Sequence, residues 1–497
     1  MSRPDRLRGD SRRPAAASLD RPALGEFHCL IAGRRVTTGQ LSHVRSPYDD
    51  TLVAVTHRAG PREIEQAIQG AAEAFPITRR LPSWQRSQVL ESVSAGIASR
   101  AEELARVLAL EAGKPMKAAR LEVARAAFTF KVASEEARRI YGEIVPLDWL
   151  PGSERREAHV RRVPLGPVAG ITPFNFPLNL VAHKVAPAVA AGDPVIIRPA
   201  SQTPVSSLLL ADLILEAGWP AGALSVVPSS TADAAPLVED DRITLLSFTG
   251  SPAVGWELKR RAGRKRVTLE LGGNAAVIVH SDADLAYAAE RIAWGGFSYA
   301  GQSCISVQRV FVHAPAYERF RELFLGRVRA LKAGDPLAEA TDVGPLIDRT
   351  AAQRVRAWID EARGEGARVL AGGTLQGSVL APTVLEDVRP EMRVACQEVF
   401  APLVGLVRYD EVAAAIASAN ASDFGLQAGV FTHDERIITA AIEGIDAGGV
   451  MVNDVSTFRI DHMPYGGLKL SGFGREGVRY AIEEMTEMKL VTYNHRM

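Results

Sequence analysis

The sequence has very little cysteine: Cys29, Cys304 and Cys396 are the only ones in 497 residues. Three scattered cysteines with no Cys-x-x-Cys pair cannot form a disulfide framework and give no zinc-binding pattern, so we expect no metal site. Their sparseness indicates a reducing compartment, and we predict a cytoplasmic protein.

Net charge and long apolar runs are also lacking. Lys and Arg together number 58, as do Asp and Glu, so the formal charge is zero and gives no electrostatic reason to expect nucleic acid. No apolar run reaches the roughly 18 residues that a membrane-spanning helix needs. The most apolar stretch, residues 178–197, is interrupted by His183, Lys184 and Asp193. We therefore expect neither nucleic acid nor a membrane as a partner.

The first 25 residues are rich in Arg, Pro and Ala and show no apolar periodicity. Because they contain no hydrophobic segment, they do not read as a secretory signal. We predict a disordered tail over residues 1–25. An organellar transit peptide is the alternative, which Asp5, Asp10 and Asp20 disfavour.

Helical patterns alternate with short apolar runs along most of the chain, which predicts an α/β fold with parallel sheets covered by helices. One alternating set starts at GPVAGITP and ends at LELGG, and a second begins near Asn274. The sequence therefore predicts two α/β domains. The runs REAHVRRV and KLVTYN lie outside both sets and predict a small projecting sheet, whose open edges a partner subunit could cover.

The stretch GQSCIS, residues 301–306, sets Cys304 among small polar neighbours, whereas an inert cysteine is usually packed among apolar ones. A reachable thiol becomes a nucleophile when a base or a positive charge helps it to ionise. Glu270 in LELGG could be a general base, and Asn175 in TPFNFPLN could donate a hydrogen bond to an oxyanion. The plain alternatives are a structural cysteine, a surface glutamate and a capping or turn asparagine.

The stretch SFTGSPAVG ends a predicted strand and opens a helix, with Gly250 and Gly255 five residues apart. A helix N-terminus of this kind suits a pyrophosphate. The stretch is not the G-x-G-x-x-G fingerprint, so by itself it is a weak indication of a dinucleotide.

Six motifs together resemble those of the NAD(P)-dependent aldehyde dehydrogenases, in the order of that family: GPVAGITPFNFP, FTGSPAVG, TLELGGN, GQSCIS, QEVFAPL and MPYGGLKLSGFGREG. The resemblance covers residues 25–495. It implies the aldehyde dehydrogenase fold and a homodimer or homotetramer. The implied parts are a dinucleotide-binding domain (26–142 and 164–273), a catalytic domain (274–478) and an oligomerisation element (143–163 and 479–497).

The resemblance implies oxidation of a small aldehyde, which could be anionic, to its carboxylic acid with NAD(P). Cys304 would form a thiohemiacetal, Asn175 would hold its oxyanion, and Glu270 would activate the water that hydrolyses the thioester. The implied cofactor contacts are Ile171, Thr172, Pro173, Arg198, Ser201, Thr249, Gly250, Ser251, Gly255, Leu271, Glu398 and Phe400. The implied substrate contacts are Phe176, Arg120, Ser303, Ile305 and Arg459.

Two positions depart from the family's cofactor pattern. Arg198 stands where the family usually has lysine, and Ser201 stands where many NAD-preferring members carry glutamate. Glutamate would repel a 2′-phosphate whereas serine beside an arginine tolerates it, so the sequence favours NADP or dual use of NAD and NADP.

The C-terminal stretch resembles members that act on lactaldehyde, glyceraldehyde 3-phosphate or succinate semialdehyde. Arg120 and Arg459 correspond to anion-binding arginines of related enzymes, and a guanidinium suits a carboxylate, phosphate or sulfonate. A solvated Arg120 and a loop salt bridge for Arg459 are an equal alternative, and His183 and Lys184 are interpreted as structural. The alternative functions are a CoA-acylating semialdehyde dehydrogenase, which would generally lack Glu270, and a non-redox thiol esterase.

Overall fold

The structure, a computed structural model, describes residues 22–495 of the chain. Most of the tail predicted over residues 1–25, and residues 496 and 497 of the predicted oligomerisation element, lie outside the described residues. No helix between residues 22 and 495 combines the length and the apolarity that crossing a membrane requires.

The first set of alternating strands and helices forms a mixed sheet, which we name the first sheet. Within residues 22–495 it has eight strands, in the spatial order Gly472–Phe473, Arg266–Glu270, Leu245–Thr249, Val168–Ile171, Val195–Arg198, Leu224–Val226, Cys29–Ile31 and Arg34–Val36. The strands from Arg266–Glu270 to Leu224–Val226 run parallel. Every residue of Val168–Ile171 is buried, as expected when helices cover both faces of a parallel sheet.

Helices do cover both faces of the first sheet. Val195 and Ile197 join one apolar cluster and Ile196 joins another, because successive side chains of a strand face opposite sides. The predicted helix PLNLVAHKVAPAVAAG is confirmed as Asn179–Ala191, and Gly192 ends it with a φ of 96°, which suits glycine. The helices of this part are Pro61–Thr78, Ser83–Ser99, Ala101–Ala112, Met116–Glu136, Asn179–Ala191, Val205–Glu216, Ala221–Ala223 (3-10), Ala235–Glu239, Pro252–Arg261 and Val478–Glu484.

The second alternating set forms the second sheet. Among the described residues its strands lie in the order Arg368–Ala371, Thr383–Glu386, Leu403–Tyr409, Val307–His313, Ala275–Val279, Gln427–Phe431 and Gly449–Val452. They run parallel except for the edge strand Arg368–Ala371. Its helices are Leu285–Phe297, Ser298–Gly301 (3-10), Ala314–Ala316 (3-10), Tyr317–Ala330, Arg349–Gly364, Arg393–Cys396, Val412–Asn420 and Glu435–Gly444.

The predicted projecting sheet is confirmed. Strand Arg156–Pro164 pairs along its length with Thr486–Asn494 and on its other side with Glu143–Pro146, all antiparallel. The α/β fold with two largely parallel sheets is confirmed as well, while the predicted domain boundaries stay predictions. The shorter pairings join Leu52–His57 to Glu26–Phe27 and Leu41–Arg45, Leu375–Gln376 to Val379–Leu380, and Phe424–Gly425 to Leu468–Lys469.

Candidate active site

Cys304 and Glu270 belong to segments that touch where the first sheet ends and the second begins. Glu270 is the last residue of strand Arg266–Glu270, and Cys304 lies three residues before strand Val307–His313. A Cβ atom placed on Gly273 would stand 2.0 Å from the carbonyl oxygen of Cys304. Glycine at this position therefore lets the loop that carries Cys304 approach the end of the first sheet.

Many predicted site residues surround one cavity of about 440 Å³, which we name the Cys304 cavity. The predicted residues that line it are Pro173, Asn175, Phe176, Thr249, Gly250, Ser251, Leu271, Ser303, Cys304, Ile305, Glu398, Phe400 and Arg459. A second cavity of about 800 Å³, the larger cavity, shares with it Arg125, Phe176, Ser303, Ile305 and Arg459. Because Ser303 and Ile305 flank Cys304, the two cavities meet beside this cysteine.

Five predicted cofactor residues line neither cavity: Ile171, Thr172, Arg198, Ser201 and Gly255. Ile171 and Arg198 end adjacent paired strands, and Thr172 and Ser201 follow those strands. They lie at the carboxyl edge of the first sheet, where open α/β sheets bind dinucleotides. Thr172 Oγ1 and Arg198 Nε are buried without a hydrogen-bond partner in the described chain. Polar groups that fit a dinucleotide are therefore available at this edge.

Tyr465 is a neighbour of Cys304 that the sequence did not reveal. The Cys304 Sγ atom lies 3.0 Å from the Tyr465 hydroxyl oxygen. The guanidinium carbon of Arg459 lies 3.6 Å from the centre of the tyrosine ring. Burial raises the pKa of the Cys304 thiol to about 12, while the Tyr465 hydrogen bond and the charge of Arg459 act to lower that pKa. The available signal was the MPYGG motif, to which sequence reasoning assigned no side-chain role.

Asn175 is held in place by one hydrogen bond to its backbone and one from its side chain to the loop of Cys304. Its Nδ2 atom donates to the Gln302 carbonyl oxygen at 3.0 Å, and its carbonyl oxygen accepts from Lys114 Nζ at 2.8 Å. Lys114 is fully buried, with Nζ 3.8 Å from the centre of the Phe176 ring and 4.2 Å from that of Tyr299. An amide nitrogen carries two hydrogens, so the Asn175 side chain keeps one donor for a ligand oxygen.

Glu270 is buried and lines neither cavity. Its Oε2 atom has no hydrogen-bond partner among residues 22–495. Burial and the nearby Glu476 carboxylate raise the pKa of Glu270 well above its usual range, although Arg459 and Lys184 oppose the shift. A carboxyl group of this kind takes a proton from water only after it has ionised.

Glu398 and Phe400 form another wall of the Cys304 cavity. A Glu398 carboxylate oxygen accepts the Gly273 N–H at 2.9 Å. Burial raises the pKa of Glu398 to about 7, against the effects of this hydrogen bond and of Arg354. Phe400 adopts a φ of 53° and meets Phe174 edge-on, with ring centres 5.9 Å apart. A non-glycine residue is rare in this left-handed region, and such conformations cluster at functional sites.

The structure does not bring Arg120 to the site, and it brings Arg125 instead. Arg120 lies on the helix surface, where it pairs with Glu102 at 2.8 Å and Glu339 at 2.7 Å, as in the solvated alternative. Arg125 lines both cavities and makes two hydrogen bonds, of 3.0 and 2.7 Å, to the Asp461 carboxylate. Residues five apart on an α-helix are rotated by about 140° about its axis, so Arg120 and Arg125 face different sides of the helix.

His183 and Lys184, interpreted as structural from the sequence, belong to a buried polar network behind the Cys304 cavity. Lys184 Nζ lies 3.2 Å from a Glu476 carboxylate oxygen, and the other oxygen lies 3.3 Å from Arg459 Nη2. His183 Nε2 lies 2.8 Å from Asp461 Oδ1. Burial favours protonation of Glu476, but the charges of Lys184 and Arg459 outweigh burial and lower its pKa to about 2. The network therefore holds ionised carboxylates against the arginines.

Comparisons with known proteins agree with this architecture. The chain matches the sequence profile of the Aldehyde dehydrogenase family over residues 36–491. It is 44% identical over 470 residues to 3-sulfolactaldehyde dehydrogenase of Priestia aryabhattai. The aligned region covers 94% of this chain and 98% of that relative.

Two solved structures are similar along nearly their whole length. One is aldehyde dehydrogenase 21 from Physcomitrella patens in complex with the reaction product succinate, with a TM-score of 0.93 and 42% identity, covering 95% of this chain and 99% of that one. The other is glyceraldehyde-3-phosphate dehydrogenase GapN from Methanocaldococcus jannaschii complexed with NADP, with a TM-score of 0.88 and 37% identity over 92% and 100% of the two chains. The chain therefore belongs to the aldehyde dehydrogenase family and is an NAD(P)-dependent oxidoreductase that converts small aldehydes to acids.

Proposed function

We propose that this enzyme oxidises a short aldehyde with an anionic group at its far end, through a thioester on Cys304. The observation that carries the proposal is the placement of Arg125 and Arg459, which line the same two cavities beside Cys304. In the described chain the Nη1 atoms of Arg125 and Arg459 make no hydrogen bond. Guanidinium N–H groups suit a carboxylate, sulfonate or phosphate.

The relatives support an anionic substrate. One acts on 3-sulfolactaldehyde, whose name indicates a sulfonate, and another was crystallised with succinate, a dicarboxylate. The arrangement of Arg125 and Arg459 in this chain offers donors for either acid group. A short substrate is favoured because both arginines line the cavity that contains Cys304 itself.

The chain's own groups can perform the addition step. The Cys304 thiol first loses its proton to water. The Tyr465 hydroxyl, 3.0 Å from the sulfur, can then donate a hydrogen bond to the thiolate. Sulfur attacks the aldehyde carbon, the carbonyl π bond breaks, and its electron pair becomes an oxyanion. The free amide hydrogen of Asn175 can stabilise that charge. A dinucleotide held by Glu398, Phe400 and the edge of the first sheet would supply the hydride acceptor, and loss of hydride from the adduct would leave a thioester.

Glu270 is proposed to resolve the thioester. An ionised Glu270 takes a proton from water, and the resulting hydroxide attacks the acyl carbon. The C–S bond then breaks to release the carboxylic acid, its electron pair stays on sulfur, and return of the proton from Glu270 restores the Cys304 thiol and the ionised carboxylate. The buried Glu270 supports water as the acceptor over coenzyme A, the alternative acceptor. The Glu398 carboxylate and the polar groups at the edge of the first sheet favour an enzyme that binds a redox cofactor over a simple esterase.

The cofactor is proposed to be NADP, or either of NADP and NAD. Known relatives include enzymes that use each of the two cofactors. Ser201 is exposed and uncharged, three residues beyond the strand that ends at Arg198. A serine here leaves room for a 2′-phosphate, and the Arg198 guanidinium offers it a positive charge.

We further propose a homodimer or homotetramer assembled through the projecting sheet, and a cytoplasmic location. The sheet exposes large apolar side chains, with Ile144 68% and Leu490 61% exposed. Exposed apolar side chains beside open strand edges mark a docking surface for another chain. The three cysteines are free thiols, which suits a reducing compartment.

Succinate semialdehyde and butanal test the proposed substrate class, because they share their chain length and differ in the terminal carboxylate. The wild-type enzyme should have a lower KM for succinate semialdehyde than for butanal. Arg125→Gln should raise the KM for succinate semialdehyde about 10-fold or more, while Arg120→Gln, on the same helix, should not. Equal KM values for the two aldehydes in the wild type would refute the proposal.

A further inference from the structure

The geometry points to His183 as a positioning residue that links the two arginines of the substrate cavities into one hydrogen-bonded chain, Arg125–Asp461–His183–Arg459. We infer that this chain fixes where the anionic end of the substrate binds. The inference rests on the proposed function, since it assigns a role to groups around the proposed anion site.

The contacts of this hydrogen-bonded chain are between 2.7 and 3.3 Å long, and its two central side chains are buried. Arg125 Nη2 donates to Asp461 Oδ1 at 2.7 Å, and His183 Nε2 lies 2.8 Å from the same oxygen. On the other side of the ring, His183 Nδ1 lies 3.3 Å from Arg459 Nη2. The His183 and Asp461 side chains are each 1% exposed. A single imidazole therefore spans the gap between the two arginine systems.

The contacts of His183 select one protonation state. Asp461 is held as a carboxylate: burial raises its pKa, but His183 and Arg125 outweigh burial and bring the pKa well below the usual range. A carboxylate only accepts and a guanidinium only donates. His183 Nε2 must therefore carry the proton, and Nδ1 must present a lone pair to Arg459. The neutral Nε2–H tautomer satisfies both partners at once.

Protonation of His183 would break this arrangement. A second proton on Nδ1 would face the Arg459 guanidinium and could turn only towards Glu476 Oε2, 3.6 Å away. Burial and the charge of Arg459 lower the pKa of His183, against the effects of Asp461 and Glu476. The charged groups around the ring thus keep it neutral.

A second residue on the helix of His183 also donates a hydrogen bond to Asp461. Asn179, one helical turn before His183, donates from Nδ2 to Asp461 Oδ1 at 3.1 Å. Asp461 would keep this partner if His183 were replaced, so Arg125 would stay partly held. Arg459 would lose its only link to Arg125 among the contacts described. We therefore expect a shift in anion affinity and not a general loss of activity.

The test compares two substitutions of His183 with a control histidine. His183→Leu removes both hydrogen bonds, and His183→Gln keeps a side-chain amide that can still donate to Asp461. His57→Leu is the control, because His57 is also buried but pairs with Glu26 and lines neither cavity. KM and kcat are measured for succinate semialdehyde and for butanal with each enzyme.

His183→Leu should raise the KM for succinate semialdehyde about 10-fold and change the KM for butanal and both kcat values little. His183→Gln should lie between His183→Leu and wild type, and His57→Leu should match wild type in the ratio of the two KM values. Equal changes for both aldehydes in His183→Leu would overturn the inference. If Arg125→Gln removes the preference for the anionic aldehyde and His183→Leu does not, the inference fails while the proposed function stands.

A neutron crystal structure of the wild-type enzyme locates the proton on the His183 ring directly, and the result does not depend on whether a variant folds. The inference expects a deuteron on His183 Nε2 and none on Nδ1. A deuteron on Nδ1 would overturn the hydrogen-bond chain.

Discussion

The sulfur of Cys304 lies 3.0 Å from the hydroxyl oxygen of Tyr465, although 161 residues separate them in the chain. Burial and the neighbouring Cys304 raise the pKa of Tyr465 well above its usual range, so its hydroxyl keeps its hydrogen at neutral pH. A thiolate on Cys304 would accept that hydrogen bond. Tyr465, with Arg459 against its ring, therefore stabilises the ionised form of the Cys304 thiol and opposes the effect of burial on its pKa.

Tyr465→Phe should make Cys304 harder to ionise, because the ring stays and the donor is lost. Hydrogen bonds to charged groups contribute about 1.5–3 kcal/mol, so we expect the thiol pKa to rise by about one unit or more and kcat/KM to fall about 10-fold. The pH dependence of Cys304 alkylation by iodoacetamide, followed by mass spectrometry, measures the shift. An alkylation profile that matches wild type would remove the role assigned to Tyr465.

Glu270→Gln should separate the two half-reactions. The first turnover, which does not need Glu270, should still produce a burst of reduced cofactor. Steady turnover should fall about 100-fold or more because the base that activates water is lost. Stopped-flow absorbance at the reduced nicotinamide band distinguishes the phases. An unchanged steady rate would show that another group activates the water.

The wild-type steady rate should rise with pH. The raised pKa of Glu270 means that the carboxyl is protonated, and inactive as a base, over a wider range below that pKa. The rate should therefore be low in acid and increase as Glu270 ionises, while the burst of the first turnover follows the ionisation of Cys304. A steady rate that falls steadily as pH rises would contradict the base assignment.

Cofactor affinity should depend on the ionisation of Glu398, whose pKa lies at about 7. An ionised carboxylate accepts hydrogen bonds from ribose hydroxyls better than a protonated one does. Because the protonated form predominates below this pKa, the Kd for NAD should fall about 10-fold between about pH 6 and pH 8. Calorimetric titrations at both pH values measure this. Glu398→Gln serves as the control and should bind NAD with the same Kd at each pH. An equally steep change of Kd with pH in that variant would show that a group other than Glu398 causes it.

Ser201→Glu should discriminate between the two cofactors. The added carboxylate would repel a 2′-phosphate, so the KM for NADP should rise about 10-fold relative to that for NAD. Initial rates at varied NADP and NAD provide the comparison, with Ser201→Gln as an uncharged control of similar size. An equal rise in both KM values would show that the residue at position 201 does not discriminate between the cofactors.

Leu490→Lys should weaken subunit assembly, because it places a charge in the apolar surface of the projecting sheet. Sedimentation velocity should show smaller species than for wild type. Ile442→Lys is a matched control, since Ile442 is also an exposed large apolar residue but belongs to helix Glu435–Gly444 and not to that sheet. Identical sedimentation of Leu490→Lys and wild type would exclude this face as the interface.

Much of the fold could be predicted from the sequence because its signals are local. Alternating apolar runs and helical periodicity identified both sheets, and the run PLNLVAHKVAPAVAAG with its closing glycine gave helix Asn179–Ala191 almost to the residue. Cys304, Glu270 and Asn175 were predicted because each lies in a short stretch that resembles a motif of the family. The structure then places Asn175 and Cys304 on one cavity, while Glu270 is buried and does not line it.

The remaining site residues could not be predicted because their roles depend on contacts between distant segments. Arg120 and Arg125 are both arginines of one helix, and only the packing of that helix shows which of them faces the cavities. Tyr465 meets Cys304, and Asp461 meets His183, across 161 and 278 residues of sequence. No periodicity within the chain encodes such distances.

The most direct test of the central claim, a covalent intermediate on Cys304, is mass spectrometry of the Glu270→Gln enzyme, quenched in acid after incubation with succinate semialdehyde and NADP. The account predicts one succinyl group on the peptide that contains Cys304, none on those of Cys29 or Cys396, and one reduced cofactor per acylated subunit. Reduced cofactor formed while Cys304 stays unmodified would contradict it.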